Sequence, residues 1–519
     1  MRPVTSAVPP YIKGTWQAAF WAGSRGRGGR ALIGRKGGYR GNIMADAHAL
    51  WGLLKQAADP SVVQALEKSV ESDPDRALNR INPLAYAAGR GLDEELTIGG
   101  LVHAARLGLF DMSWNMLCPG CGGVLESGAA LKTLNRDHYF CSLCAAETEP
   151  TLDQLVEVTF TVNPRVRRIA AHDPDSLPYA EYMRQIFWSS STDVPDDVES
   201  VIQNTTLDVM ELAPGEKAAM SLTLPKGFAI AFDPVTHSSL FLEIAGEETH
   251  ERRNLSLVFT DSHVHSGTLK LQPGPARISL ENKAARRTMP GVWIHNDEMH
   301  KLTSTRLPFL TATRLLSNQE FRDLYRSGTF DPEQRFKITS LTILFTDLRG
   351  STALYDRIGD LAAFDLVRSH FGALLDAVAS EGGAVVKTIG DAVMATFPTP
   401  DRALRAAMRM REEMRKINEA RGSDDLALNI GLHSGPCLAV MLDDRQDYFG
   451  QTVNIASRVQ GLAEPDAILA TKPIIESSEV ERLVSESSYR TTPRRSMLRG
   501  VSEAFEIYEV RERETAPAE

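Results

Sequence analysis

The sequence has few cysteines, no long apolar run and no excess of positive charge. Its 519 residues include five cysteines, too few for the disulfide framework of a small secreted protein. No apolar stretch reaches the roughly 18 residues of a membrane span, and no signal-peptide pattern opens the chain. A net charge of −10 removes any global electrostatic reason to bind nucleic acid or anionic membrane. We expect a soluble protein of a reducing cytoplasm, with no membrane span and no nucleic-acid partner.

The first 310 residues change character along their length. Residues 1–43 carry eight basic and no acidic side chains among many glycines, which predicts a disordered tail, with a nucleic-acid or lipid tether as the alternative. From 44 to 117 the apolar residues recur at helical spacing. The alternation in 156–162 predicts a strand with Glu157, Thr159 and Thr161 facing away from its apolar side. Short alternating segments between turn signals, from about 210 to 300, predict a β-rich unit.

The segment Ser317-Asn-Gln-Glu320 matches a capping box, in which a serine and a glutamate satisfy backbone amides at the start of a helix. We therefore predict a helix that begins at Ser317 and couples the β-rich unit to the last third of the chain.

Two Cys-x-x-Cys pairs, separated by 19 residues, provide four thiolates at the spacing of a structural zinc site. The ligands are Cys118, Cys121, Cys141 and Cys144. Four protein ligands leave no position for a reacting water, which disfavours catalytic zinc. A redox dithiol and a nucleic-acid ribbon remain alternatives. We predict one structural Zn²⁺ per chain.

Three histidines, His237, His263 and His265, raise the question of a second metal site. No carboxylate or cysteine accompanies them at usable spacing, so surface or hydrogen-bonded histidines are the favoured interpretation.

Two aspartates in the last third follow predicted strands. Asp347 ends the buried run 341–345, where a carboxylate can hold a hard cation or simply cap a helix. Asp391 lies at the tip of a Gly-Asp hairpin, which is also ordinary turn chemistry.

Further along, Asn454 and Arg458 are four residues apart on a predicted helix and share a face. An amide and a guanidinium aimed the same way suit a polyanion, although each motif alone is compatible with solvated surface. Their combination is more specific than any single one.

Together these segments resemble the catalytic domain of class III nucleotidyl cyclases over about residues 337–510. The resemblance rests on Phe345-Thr-Asp347, on Lys387-Thr-Ile-Gly-Asp391 and on the run from Asp447 through Asn454 to Arg458. It implies a ferredoxin-like fold. It also implies that Asp347 and Asp391 bind two Mg²⁺ or Mn²⁺ ions per active site, Lys387 and Asp447 select the base, and Asn454 and Arg458 stabilise the transition state.

The resemblance further implies ATP as the substrate, cyclic AMP as the product and a homodimer with shared active sites. A guanylyl cyclase is the first alternative, and a nucleotide-sensing pseudoenzyme or scaffold is the second. A diguanylate cyclase is disfavoured because its Gly-Gly-acidic-acidic-Phe signature is absent. The segments before 311 look like the N-terminal module of some bacterial soluble cyclases, so we expect a regulatory role for them. The sequence does not identify the effector.

The predicted fold is therefore a multidomain α+β chain. Its parts are a basic tail at 1–43, a helical segment at 44–117, a zinc ribbon at 118–165, a β-rich regulatory domain at 166–310, a coupling helix and linker at 311–336, a ferredoxin-like class III cyclase domain at 337–510 and a tail at 511–519.

Overall fold

A computed structural model describes residues 41–261, 265–325, 329–442, 445–498 and 504–513. The predicted basic tail therefore lies, up to residue 40, outside the described residues. Asp46–Glu519 form one compact unit, and of Met1–Ala45 only the beginning of a helix is described.

Four helices open the described chain, and a strand follows them. They are α1 (Gly41–Ala57), α2 (Pro60–Ser72), α3 (Pro83–Arg90) and α4 (Glu94–Leu107). Asp59 and Asp93 cap α2 and α4 by accepting backbone hydrogen bonds at the first turn. The helical interpretation of 44–117 missed β1 (Phe110–Leu117), whose buried Phe110 and Trp114 pair with a later strand.

The cysteine segment is built around the small sheet β2-β1-β5. Its strands are β2 (Val124–Gly128), β3 (Tyr139–Cys141), β4 (Ala146–Thr148) and β5 (Val156–Val162), with β3 and β4 forming a separate hairpin. The strand predicted at 156–162 is present, but its polar side is covered as well. Glu157 and Thr159 are fully buried, and Asn115 donates hydrogen bonds to both of them.

The β-rich region consists of two sheets with strand orders β11-β9-β8-β13-β6 and β10-β12-β7. An apolar core that includes Met220, Leu242 and Ile278 contains residues of both sheets. The elements are α5 (Tyr179–Tyr182), α6 (Val198–Thr205), β6 (Thr206–Val209), β7 (Lys217–Leu224), β8 (Gly227–Asp233), β9 (Ser238–Ile244), β10 (Arg253–Phe259), β11 (His265–Leu271), β12 (Gly274–Asn282), β13 (Gly291–Ile294) and α7 (Asp297–Ser304).

Two short helices, α8 (Ala312–Leu316) and α9 (Gln319–Leu324), connect the β-rich region to the last third. The predicted capping box is wrong in its register. Ser317 ends α8, and Asn318 is the residue that caps α9, with its side-chain oxygen accepting a hydrogen bond from Phe321 N at 3.0 Å. Asparagine caps a helix as well as serine does, so the motif alone did not determine the starting residue.

The last third contains one large sheet with strand order β15-β16-β14-β17-β19-β21-β20, and β18 pairs with β17. Its strands are β14 (Phe336–Leu348), β15 (Ala384–Ile389), β16 (Ala392–Phe397), β17 (Leu428–Leu442), β18 (Arg445–Phe449), β19 (Ile468–Thr471), β20 (Tyr489–Met497) and β21 (Ala504–Glu512). Its helices are α10 (Ser351–Ile358), α11 (Asp360–Ser380), α12 (Pro400–Arg421), α13 (Gln451–Gln460), α14 (Lys472–Ile475) and α15 (Ser478–Glu486). The mixed helix-and-sheet architecture, with a β-rich region and a cysteine cluster before it, confirms the predicted fold class.

The two faces of this sheet belong to different apolar cores. Leu344 and Leu348 of β14 pack in a core with α11 and α12. Ile343 and Phe345, which alternate with them, lie in a second core that also contains Phe321 and much of the first half of the chain. The N-terminal half therefore covers one face of the sheet that carries the candidate site.

Candidate active site

Asp347 and Asp391 lie at neighbouring strand ends. Asp347 is the second-last residue of β14, and Asp391 follows Gly390 in the turn between β15 and β16, where Gly390 adopts a φ of 66° that favours glycine. Burial and then the charge of Asp391 raise the pKa of Asp347. The Oδ2 atom of Asp391 is buried and has no hydrogen-bond partner. The sequence-predicted pair is thus brought together as two carboxylates without a described cationic partner.

Two further polar side chains surround this pair, and the sequence interpretation had not selected either. Asn429 is the cross-strand partner of Asp347, so both side chains point to the same face, and its buried Oδ1 has no described partner. His370 is fully buried on α11 next to the backbone of Asp391, and burial lowers its pKa to about 4. A lone amide in an apolar strand and a lone histidine on a helix carry no local signature of such a location.

Lys387 and Asp447 form an ion pair, with the lysine Nζ donating to Asp447 Oδ2 at 2.5 Å. Lys387 lies on β15 next to a register shift, and Asp447 lies on β18. Only 10% of the Asp447 side chain is exposed, and its other oxygen accepts a hydrogen bond from Tyr448 N at 2.8 Å. The fold therefore joins these two predicted residues directly, although 60 positions separate them in the sequence.

Asn454 and Arg458 lie on α13, which packs closely on β17. A Cβ added to Gly431 would lie 2.2 Å from the backbone nitrogen of Gln460, so this glycine permits the close approach. Asn454 is exposed and Arg458 is half-buried, and neither side chain takes part in a described hydrogen bond or ion pair. Both side chains remain available to an external ligand.

The six predicted residues form separate groups within one chain. Among the described contacts, no hydrogen bond or ion pair joins the Asp347–Asp391 group to the Lys387–Asp447 pair or to α13. The structure thus places each group but does not assemble all six around one point through direct contacts.

The four sulfur atoms of Cys118, Cys121, Cys141 and Cys144 all lie within 4.8 Å of one another. Two of the separations are 3.7 Å (Cys118 to Cys144) and 3.6 Å (Cys121 to Cys141). A tetrahedral zinc with Zn–S bonds of about 2.3 Å requires sulfur separations of roughly 3.8 Å. The cluster therefore has the geometry of a metal site.

A partly buried arginine that the sequence interpretation missed lies beside this cluster. Arg306 donates to Thr192 Oγ1 at 2.7 Å, and the space that a Cβ on Gly122 would need is occupied by its guanidinium. Burial lowers the pKa of Arg306, and the neighbouring Cys121 and Cys118 oppose that shift. A cation at this position offsets part of the negative charge of four thiolates.

The three histidines considered as a second metal site are only partly described. His237 packs against Phe187, with ring centroids 5.5 Å apart. His263 lies outside the described residues, and the side chain of His265 is not described. Among the described residues, the cysteine cluster is the one group of three or more histidine, cysteine or acidic side chains close enough to hold a metal ion.

Comparison with known families accounts for both halves of the chain. The description "Family of unknown function (DUF5939)" matches residues 44–323, and "Adenylate and Guanylate cyclase catalytic domain" matches 334–510. The chain belongs to the DUF5939 family and carries a class III adenylate/guanylate cyclase domain. None of the helices in the described ranges combines the length and hydropathy needed to cross a membrane.

Relatives of the cyclase domain include two adenylate cyclases. The protein from Anabaena cylindrica is 31% identical over 33% of this chain and 36% of its own length. Adenylate cyclase 2 from Rhizobium meliloti is 32% identical over 30% of this chain and 44% of its own length. This chain thus spans less than half the length of either relative.

Solved cyclase structures also match the domain. The crystal structure of the adenylyl cyclase CyaB from P. aeruginosa is 23% identical over 35% of this chain and 97% of its own, with a TM-score of 0.31. That of the guanylyl cyclase Cya2 is 22% identical over 34% of this chain and 92% of its own, with a TM-score of 0.30.

Proposed function

We propose that this protein is an adenylyl cyclase that converts ATP into 3′,5′-cyclic AMP and pyrophosphate. The observation that carries the proposal is the direct pairing of Lys387 with Asp447 on two strands of the cyclase sheet. Adenine presents an acceptor at N1 and a donor amine at C6, so an ammonium and a carboxylate placed together provide a partner for each. When the base enters, these contacts replace the ion pair.

Guanine reverses both positions. Its N1–H would face the lysine and its O6 would face the carboxylate. A donor would then face a donor, and an acceptor would face an acceptor. Leaving buried polar groups unpaired costs about 1–3 kcal/mol each, enough for roughly tenfold or greater discrimination. The chemistry of Lys387 and Asp447 therefore favours ATP over GTP.

In the proposed reaction the ribose 3′-hydroxyl gives up its proton to water and its oxygen attacks the α-phosphorus. The bond between the α-phosphorus and the oxygen that bridges to the β-phosphorus breaks, and pyrophosphate leaves. Both reacting groups belong to one nucleotide, so the residues mainly align them and stabilise charge. Arg458 meets the negative charge that grows on the α-phosphate, while Asn454 holds the ribose. Neither side chain has a hydrogen-bond or ion-pair partner among the described residues that it must first leave.

Asp347 and Asp391 fit a divalent cation site. Burial and the charge of Asp391 raise the pKa of Asp347, and one oxygen of Asp391 is buried without a partner. Oxygen ligands suit Mg²⁺ or Mn²⁺. Two such ions, when bound, would activate the hydroxyl and neutralise the phosphates of the leaving pyrophosphate. Through such ions, Asp347 and Asp391 would hold the triphosphate end in place relative to the base.

The proposed site is shared between two copies of the chain. By its resemblance to class III cyclases, one copy supplies Asp347 and Asp391, and the other supplies the base-selecting pair and α13. The absence of described contacts between these groups within one chain is compatible with that division. A symmetric homodimer would then contain two equivalent sites.

For the cysteine cluster we propose one structural Zn²⁺ per chain, since four protein ligands close the coordination shell. We further propose that the N-terminal half regulates the cyclase domain, because residues of both halves share one apolar core.

The proposal is tested by incubating the full chain with ATP and with GTP, each with Mn²⁺ and then with Mg²⁺, and separating the products by chromatography. We expect cyclic AMP to exceed cyclic GMP by at least about tenfold, given the buried mismatch. Predominant cyclic GMP would indicate the guanylyl cyclase alternative. Nucleotide binding without any cyclic product would indicate the pseudoenzyme.

A further inference from the structure

Helix α9, which lies outside the cyclase domain, contacts two strands of the cyclase sheet through side chains. The Oε1 atom of Gln319 accepts a hydrogen bond from Val385 N on β15 at 2.8 Å. The Nη2 atom of Arg322, one turn further along α9, donates to the carbonyl oxygen of Gln446 on β18 at 2.9 Å. One short helix thus connects β15 with β18.

Both contacts are adjacent to the base-selecting pair. Gln446 directly precedes Asp447 in β18. Val385 lies two residues before Lys387, at the point where the pairing of β15 with β16 shifts register. Because β15 is an edge strand, amides on its outer side have no strand partner, and Gln319 satisfies one of them. The contacts therefore act on backbone that directly determines where Lys387 and Asp447 lie.

On the cyclase side, Arg322 contacts a buried and hydrogen-bonded segment of β18. Gln446 and Tyr448, which flank Asp447, are 8% and 3% exposed, and the Gln446 amide donates to the Tyr448 hydroxyl at 3.0 Å. A displacement of the backbone at Gln446 would therefore move Asp447 with it.

Helix α9 itself is anchored in the N-terminal half. Phe321 is 1% exposed, and its ring packs edge-on against Trp114 of β1, with the centroids 5.9 Å apart. Glu320 lies against α4, so close that a Cβ added to Gly99 would be 2.0 Å from its carboxylate. The position of α9 therefore follows that of α4 and β1.

We propose that Gln319 and Arg322 are positioning residues for base selection: they hold β15 and β18 so that Lys387 and Asp447 face the same base. This inference rests on the proposed cyclase function and extends it, because it assigns part of the nucleotide specificity to residues outside the cyclase domain. A change in the N-terminal half that displaces α9 then changes which nucleotide the site accepts and how tightly.

The test compares full-length variants. Gln319→Ala and Arg322→Ala each remove one contact, whereas Gln319→Glu keeps an acceptor for Val385 N. The matched control is Arg76→Ala, because Arg76 is an arginine of the N-terminal half whose described ion pair, with Asp196, involves neither α9 nor the two strands. Three measurements are made: hydrogen exchange of the peptide containing Val385, equilibrium binding of non-reactive ATP and GTP analogues, and kcat and KM for both nucleotides.

We expect Gln319→Ala to accelerate exchange at Val385. We also expect Gln319→Ala and Arg322→Ala to lower the ATP-to-GTP ratio, in binding and in kcat/KM, by about 3- to 10-fold, the effect of one hydrogen bond. Gln319→Glu restores the ratio, and Arg76→Ala leaves it unchanged. The proposal is overturned if exchange at Val385 rises while the ratio stays at the wild-type value, or if binding of both analogues falls equally, as a purely structural contact requires.

Failure of the proposed function is distinguishable from failure of this inference. If the wild-type chain forms no cyclic nucleotide, the enzymatic proposal fails, but the ratio of analogue binding still decides whether Gln319 and Arg322 position the pair.

Discussion

The carboxylate of Glu95 on α4 accepts a hydrogen bond from Arg402 on α12, 307 residues further along the chain, at 2.5 Å. The same oxygen of Glu95 also accepts from Arg314 at 2.7 Å. Glu95 thus links the helical segment, the connection before the cyclase domain and the long helix α12. The N-terminal half is joined to the cyclase domain through this ion-pair cluster as well as through α9.

Replacing Glu95 with alanine should destabilise the protein, because two partly buried guanidinium groups lose their shared partner. We expect the free energy of unfolding to fall by about 1–3 kcal/mol. Glu94→Ala is the control, because Glu94 is 47% exposed and its described ion pair is with Arg314, and it should cost less than about 1 kcal/mol. Urea denaturation followed by circular dichroism measures both. Equal costs for the two variants would contradict the role assigned to Glu95.

The geometry of the cysteine cluster predicts one zinc ion per chain. Elemental analysis of the purified protein measures the zinc content. Cys141→Ser should lose the metal and lower the unfolding temperature, because a tetrahedral site needs all four ligands. Cys437→Ser is the matched control, since Cys437 is buried but lies outside the cluster, and it should retain the metal. Metal-free protein in which the four cluster thiols are reduced, and which unfolds at the same temperature as the zinc-loaded form, would refute the structural role.

The buried histidine His433 predicts a loss of stability in acid. Its ring bonds with Thr471 Oγ1 at 2.7 Å, and burial lowers its pKa to about 4. In the unfolded chain the pKa returns to about 6.5, so below that pH the unfolded state binds a proton that the folded state does not. Stability is therefore fully present above pH 6.5 and falls as the pH drops towards 4, by up to about 3 kcal/mol.

Unfolding measured across this range in wild type and in His433→Gln isolates the contribution of His433, because other groups titrate in both proteins. Between pH 6.5 and 4, the free energy of unfolding should fall less in His433→Gln than in wild type. Substitution of the exposed His138 should leave the wild-type pH dependence unchanged. Parallel profiles for wild type and His433→Gln would show that His433 is not held neutral by the fold.

Arg458→Ala should reduce kcat by about 100-fold or more with little change in KM, because the guanidinium acts on charge that develops in the transition state. Steady-state kinetics with ATP and Mn²⁺ measure the effect. Arg415→Ala, which removes a surface arginine with 57% of its side chain exposed, is the control and should leave kcat unchanged. A rise in KM alone would assign Arg458 to ground-state binding instead.

Much of the fold was predictable because its signals are local. The strand at 156–162, the strand that leads to Asp347, the hairpin at Asp391 and the helix that carries Asn454 and Arg458 follow from alternation, turn residues, helical spacing and family motifs. The missed features depend on tertiary contacts. Glu157 and Thr159 face inward because Asn115 on the neighbouring strand satisfies them, and alternation alone cannot reveal such a partner.

In the candidate site, too, the local motifs were predictable and the tertiary contacts were not. Motifs identified the six residues, but not that Lys387 and Asp447 would already be paired, or that α9 would contact the strands beside them. Asn429 and His370 were missed because a single asparagine in a strand or a single histidine on a helix has no local signature. Their locations emerge only when β17 and α11 are placed against the ends of β14 and β16.

The most direct test of the shared site mixes two inactive full-length proteins, Asp347→Ala and Arg458→Ala. In a random mixture half of the dimers are heterodimers, and each has one intact site of two, so activity should recover to roughly one quarter of wild type. Differently tagged chains allow the heterodimer to be quantified in the same sample. No recovery in a sample where heterodimers are demonstrated would contradict an active site built from two copies of the chain.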